Sequence, residues 1–231
     1  VKRRLPAASA IAVSLALAFA GTVAAAPRAL EATALANLPG GTTSAANDVN
    51  DAGQIVGWAT TATATHAVLW QAGVPTDLGT LPGDTSSYAT AISNNGLIVG
   101  VSGASPLGDP DIGHAVLWRD GQIIDLGLLP GGGYSAATDV NDAGQVVGCG
   151  QKAERGGLSL VHRGFVWADS VVVILPPLQP ESDLLSTSSC AMSINDRGIV
   201  AGNSAVFNLQ TGAFTRRAVT WQDGMLTDLG T

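Results

Sequence analysis

The decapeptide at residues 48–57, Asp-Val-Asn-Asp-Ala-Gly-Gln-Ile-Val-Gly, returns at residues 139–148 with a single change, Ile55 becoming Val146. Looser copies stand at residues 91–100 and 193–202. A chain that repeats one segment in this way folds as a tandem array. Each unit is too thin to bury its own apolar face and is stabilised by stacking on its neighbours. The local chemistry of every copy is that of a tight hairpin: an alternating stretch, an Asn/Asp corner, a glycine, then a β-branched run. Asn and Asp tolerate turn geometry, and glycine supplies the positive φ that a bulged corner needs. A calcium loop is the competing reading, since Asp48, Asn50 and Gly53 match its first, third and sixth positions. Its fifth and twelfth positions fall on Ala52 and Ala59, which have no side-chain oxygen, and the second copy begins with Ala91.

A second motif recurs downstream of each corner: His66-Ala67-Val68-Leu69-Trp70, His114-Ala115-Val116-Leu117-Trp118, Arg163-Gly164-Phe165-Val166-Trp167 and Arg217-Ala218-Val219-Thr220-Trp221. The tryptophans lie 48, 49 and 54 residues apart. Adding the segment before each corner and the one after each tryptophan, every unit reads as four short strands. The spacing predicts strands at 44–50, 54–58, 66–70 and 75–81 in the first unit, with the same pattern in the others. Units of this length and strand count are the signature of propeller blades. A solenoid needs parallel pairing and long crossovers, which short glycine corners do not provide. A two-sheet sandwich does not require each unit to repeat the same strands. The expected fold is therefore all-β: a β-propeller-like array of four four-stranded antiparallel units, near 39–81, 82–129, 130–178 and 179–231. The ring is either closed by the leading segment 33–38, which resembles a fourth strand, or fragmentary.

Composition supports many short strands. Charged residues make up 13% of the chain and glycine fills 29 positions, and the strong helix formers Glu and Lys are confined to Glu31, Glu154, Glu181, Lys2 and Lys152. Lys2, Arg3 and Arg4 precede an apolar run at 5–20 and small residues at 21–26, the pattern of a secretory signal peptide cut near Ala25 or Ala26. The run is shorter than the roughly 20 residues a membrane span needs, so no transmembrane span is expected in the mature chain. Without Lys2, Arg3 and Arg4 the 11 basic residues fall to 8 against 18 acidic ones, a formal charge of −10. Such a surface repels phosphate backbones, which makes nucleic acid a poor partner. Cys149 and Cys190 are the only cysteines. In an exported chain they form a candidate disulfide between neighbouring units.

The His-Ala-Val-Leu-Trp, Asp-Leu-Gly-Thr-Leu-Pro-Gly and Asn-Asp-Ala-Gly-Gln-Val-Val-Gly segments together resemble the HAF repeat, a family of bacterial extracellular repeat proteins. The resemblance covers roughly 38–231. Valine replaces the family's phenylalanine in units one, two and four, and Arg163 and Arg217 take the histidine position. The resemblance implies a secreted repeat array and no assigned reaction.

His66 and His114 sit in equivalent positions of different units and arginine replaces them elsewhere. That argues for a bond to an acid of the next strand (Asp77, Asp125, Asp228) over a metal site. Unit three has Ile174 instead of that acid. The recurring tryptophans read as packing between units. Trp58 lies outside that position and is the better aromatic ligand candidate. In an up-and-down unit the first-to-second and third-to-fourth turns share one face. The variable second-to-third loops share the other with the links between units, and variable loops on a repeated scaffold are where binding usually resides. That face is expected to carry Asp84, Tyr88, Asp109, Asp111 and Arg155 beside Trp58. No nucleophile motif, phosphate loop, metal set or cofactor motif is present in the sequence. The chain thus reads as an exported, non-enzymatic binding or interaction module, extracellular or periplasmic, with a polysaccharide or protein ligand. Two alternatives stay open: a carbohydrate-active enzyme working from Asp residues of the variable face, and a structural surface or matrix protein.

Overall fold

In the computed structural model, residues 32–103, 113–179 and 187–230 are described. The expected signal segment lies outside them. The fold is all-β: the described residues form sixteen strands in four four-stranded antiparallel sheets, each a simple meander. Sheet one holds β1 (Ser44–Val49), β2 (Ile55–Thr60), β3 (Thr65–Gln71) and β4 (Val74–Asp77). Sheet two holds β5 (Ser86–Ile92), β6 (Ile98–Gly103), β7 (His114–Arg119) and β8 (Gln122–Asp125). Sheet three holds β9 (Ser135–Val140), β10 (Val146–Glu154), β11 (Ser159–Ala168) and β12 (Val171–Ile174). Sheet four holds β13 (Ser189–Ile194), β14 (Val200–Asn208), β15 (Ala213–Gln222) and β16 (Met225–Asp228). Among the described residues a single 3-10 turn, Arg155–Gly157, interrupts this pattern. Among the described residues no helix is long and apolar enough to cross a membrane.

Three apolar clusters join the sheets in chain order. Val56 and Ala67 of sheet one pack with Ala89, Ile92, Ile98, Val116 and Trp118 of sheet two. Val99, Ala115 and Leu117, on the other side of sheet two, pack with Val140, Val146, Phe165 and Trp167 of sheet three. Val147 and Leu175 then meet Ile194, Val200, Val219 and Trp221 of sheet four. This explains why the third strand of a unit reads as an unbroken apolar run. Alternate residues face opposite neighbours, and in units two and three both neighbours are sheets. The tryptophans fill the spaces between units. No such cluster joins sheets four and one among the described residues, so the array is propeller-like and incomplete as a ring. Trp70 instead packs under Leu35 and Leu38 of the leading segment, and its indole N–H donates to Ala36 O at 2.7 Å. The equivalent Trp221 donates to Pro176 O at 2.9 Å.

The corners form as the motif requires. Asn50 accepts Ala52 N and Gln54 N on its side-chain oxygen, its amide donates to Gln54 Oε1, and Gly53 turns at φ 73°. Asn141 and Gln145 repeat the arrangement. Both oxygens of Asp48 accept backbone N–H groups, Val49 N and Ile92 N at 2.8 Å each, so this carboxylate acts as a stitch between sheets.

Each first strand carries one extra residue, shifting register after Ala46, Ala89, Ala137 and Ala191. The bulge residue reaches across to the following sheet: Asn47 donates to Ala89 O, Thr90 to Ala137 O and Thr138 to Ala191 O, at 2.7, 2.9 and 3.1 Å. Opposite the bulge stands the glycine of the second strand. A Cβ on Gly57, Gly100, Gly148 or Gly202 would lie 2.0, 1.9, 2.2 or 2.1 Å from a first-strand carbonyl oxygen. The two strands approach closely there, and only glycine leaves room.

Two expectations need correction. The fourth strands are shorter than the spacing suggests. Strand β4 ends at Asp77, and Leu78 and Leu81 leave the sheet to pack against sheet two. Short outermost strands limit open edges, and Pro75 is tolerated there because that edge needs no donor. The second-to-third loops of units three and four are mostly strand, with β10 paired to β11 through Glu154 and Ser159, and β14 to β15 through Asn208 and Ala213. Polar and small residues disguise these extensions in the sequence.

Candidate functional site

The variable face is built by the ends of the second and third strands and the links between units. Trp58 and Tyr88 meet there edge to face, ring centroids 6.0 Å apart. Asp84 accepts the Ser102 hydroxyl at 2.7 Å, while that hydroxyl accepts Leu81 N at 2.9 Å. Arg155 opens the 3-10 turn at the tip of the β10–β11 hairpin. Asp109 and Asp111 lie outside the described residues. The structure therefore brings Trp58 and Tyr88 together and holds Asp84 on a separate serine stitch.

The register reveals what unites this face. Trp58, Val101, Cys149 and Asn203 each follow the second-strand glycine, and Ala45, Tyr88, Ala136 and Cys190 are the first-strand residues paired with them. At the first and third junctions the second-strand residue of one unit meets the first-strand residue of the next. Two junctions fill that position with an aromatic pair (Trp58–Tyr88) and a disulfide, Cys149–Cys190, with Cα atoms 4.9 Å apart, and at the junction between them the register puts Val101 and Ala136 at the equivalent positions. The cross-link spans a sequence separation of 41. By chain entropy such a closure contributes about 4 kcal/mol. Sequence comparison by residue identity misses this position because its occupants are chemically unlike.

His66 Nδ1 lies 2.8 Å from Asp77 Oδ2 and His114 Nδ1 2.8 Å from Asp125 Oδ2; Arg217 Nη1 lies 2.5 Å from Asp228 Oδ2. Each pair ties a third strand to the edge strand of its own unit. In unit three, where Ile174 replaces the acid, the buried Arg163 turns to Thr187 O, His162 O and Glu154, and Lys152 Nζ joins Glu154 Oε1 at 2.7 Å. Burying an arginine this deeply requires paired hydrogen bonds, and these supply them. Among the described residues no group of three or more His, Cys, Asp or Glu converges as metal ligands would.

The concave surface lies on the opposite face, among the short turns. A groove of about 320 Å³ between sheets one and two is walled by Leu69, Leu78, Ile98 and Trp118, with Thr76, Arg119 and Asp120 at its rim. A groove of about 260 Å³ between sheets three and four is walled by Val166, Leu175, Val200 and Trp221, with Val173, Gln222 and Asp223 in the corresponding places. The two are formed by equivalent residues of equivalent units. Near the axis the four corners enclose a polar depression of about 200 Å³ lined by Asn50, Asn94, Asn141, Asp142, Asn195 and Asp196. The corners are chained there: Asp51 N donates to Asn94 Oδ1 at 3.0 Å, Asn94 N to Asp142 Oδ1 at 2.7 Å, and Asp142 N to Asp196 Oδ1 at 3.0 Å. The recurring grooves are not legible in the sequence, because their lining comes from two units, each contributing residues that also pack the junction. Compared with known proteins, the chain matches no family model and no curated sequence.

Proposed function

We propose that this chain is an exported, non-enzymatic binding module of the HAF-repeat kind, and that its extracellular ligand engages the two equivalent grooves of the short-turn face. The observation that carries the reading is the recurrence itself: an apolar wall with a tryptophan and a polar rim, at two of three junctions. Small-molecule sites are typically concave and apolar with a few placed polar groups. Each groove is of a size for one sugar ring or one large side chain. Two such sites on one rigid scaffold favour a ligand with repeated units, because binding at the first raises the effective concentration at the second. The basic start followed by an apolar and then a small-residue stretch, at 2–26, supports export.

The test is binding to a panel of soluble polysaccharides and surface proteins, with the grooves filled by Thr76→Trp and Val173→Trp. Both residues are exposed on edge strands, so the fold should accept the change. Either substitution alone should weaken binding and the pair should abolish it, with the ligand recovered unaltered. Undiminished binding by the double variant, or loss on altering Asp84 instead, would overturn the reading.

A further inference from the structure

Every sheet ends in a short fourth strand, and three of these four edges carry groups that discourage a fifth. Strands β4, β8 and β16 close on Asp77, Asp125 and Asp228, and β4 also holds Pro75. Strand β12 reads Val-Val-Val-Ile and has neither an acid nor a proline. Its Val171, Val172 and Val173 are 60%, 38% and 56% exposed, whereas β4 exposes one large apolar residue, Val74, β16 one, Met225, and β8 none. Charges and prolines on an outer strand keep other chains from adding to it, and an uncharged, exposed, β-branched edge invites addition.

The backbone of β12 is open in the same direction. Leu175 N donates to Gly164 O at 2.8 Å, and Val173 and Val171 stand opposite Val166 and Ala168 of β11. By the two-residue alternation of an antiparallel ladder, the N–H and C=O groups of Val171, Val173 and Leu175 face β11, and those of Val172 and Ile174 face outward. These four outward groups meet no partner among the described residues. The strand belongs to a sheet packed on both faces, by sheets two and four, so the opening is not that of an array end.

We infer that β12 pairs with β12 of a second copy of this chain, antiparallel across a two-fold axis, joining the two third sheets edge to edge. The outward groups set the register. Two donors and two acceptors on each copy are all matched when Val172 of one copy lies opposite Ile174 of the other, which places Val173 against Val173 at the axis. Such a contact is isologous and closes at two copies. A second β12 fits this edge because it brings the complementary donors and acceptors and no charge. In that register Val171 lies opposite Leu175 and Asp169 opposite Pro177, so no acid meets an acid. The edges β4, β8 and β16 of a second copy would instead bring Asp77, Asp125 or Asp228 to the contact, and Pro75 would lack a donor. Pro176 offers no donor to lengthen the pairing, so the contact is small and the association weak and concentration-dependent.

Thiol trapping tests this on the full chain with its native disulfide intact, and it is read without any ligand, so its outcome is separate from that of the groove reading. Val173→Cys puts a thiol at the axis in a non-hydrogen-bonded pair, where Cα atoms lie about 4.5 Å apart, within the span a disulfide requires. Thr76→Cys occupies the equivalent position of β4 and is the control for random collision. Under mild oxidation V173C should be recovered mainly as a dimer, with peptide mapping joining position 173 to position 173, and T76C mainly as a monomer. Two further changes, each made in V173C, close the edge with residues the fold already uses there: Val172→Pro copies Pro75, and Ile174→Asp restores the acid of the other three units. Either should lower cross-linking to the T76C level at unchanged circular dichroism. Cross-linking of V173C no greater than that of T76C, or cross-linking that survives both V172P and I174D, would overturn the inference.

Discussion

Replacing Gly100 with alanine tests the packing of first on second strand at its tightest point. The added Cβ would sit 1.9 Å from Tyr88 O and 3.0 Å from Ala89 Cα, both backbone atoms of β5. Real Cβ contacts essentially never fall below 3.0 Å, so the strands must part where Ala89 pairs with Gly100. Overpacking of this kind costs typically 1–3 kcal/mol, and a weakened ladder bond adds about 1 kcal/mol. The expected loss is about 3 kcal/mol. Gly133→Ala is the control, since its Cβ would meet only the flexible end of Gln151 at 3.2 Å; a change within about 0.5 kcal/mol is expected there. Urea unfolding reads both as midpoint shifts at constant slope. A Gly100→Ala variant as stable as Gly133→Ala would refute the close approach of β5 to β6.

Ser135→Ala should cost about 2 kcal/mol or more, because the hydroxyl accepts Ala115 N at 2.9 Å and donates to Gly127 O at 2.6 Å across a buried junction. Ser86→Ala should be neutral or stabilising, since the buried Ser86 hydroxyl has no partner among the described residues; equal losses in urea unfolding would contradict both assignments. Asp228 is held below the ordinary carboxylate value, first by the Gly230 backbone N–H and then by Arg217. A depressed folded value means its contribution is present above the unfolded pKa of 3.8 and is lost as pH falls through the lower folded one. In an NMR pH titration, Arg217→Ala should raise the Asp228 pKa only partway, because the Gly230 bond remains; a full return to the ordinary value would contradict that order of causes.

Much of the architecture is legible in the residues because each unit states it again. Asn50, Gly53 and Gln54 spell a corner by their own hydrogen bonding, and the Val68–Trp70 and Val116–Trp118 stretches announce strands covered on both faces. Gly100 could be read as a close approach because no turn explains a glycine inside a β-branched run. The rest depends on neighbours distant in sequence. Arg163 finds Thr187 and Glu154 only because Ile174 removes its usual acid. Trp58 has no aromatic counterpart in the repeat, since the equivalent positions hold Val101, Cys149 and Asn203. The grooves arise from the angle between sheets, which no single unit encodes. Loop variability marks the face of Asp84 and Arg155, and the two apolar grooves lie on the face of the uniform turns.

The equivalence of the junctions can be measured directly by placing cysteines at Val101→Cys and Ala136→Cys in a chain whose native pair is Cys149→Ser and Cys190→Ser. If every unit stacks on the next in one repeated register, the new pair occupies the site of the native disulfide, whose Cα atoms are 4.9 Å apart, within the span a disulfide requires. Mapping of non-reduced peptides should then find the two introduced cysteines joined to each other within one chain in nearly every molecule. Free thiols at both positions, or cross-links only between chains, would contradict the repeated stacking.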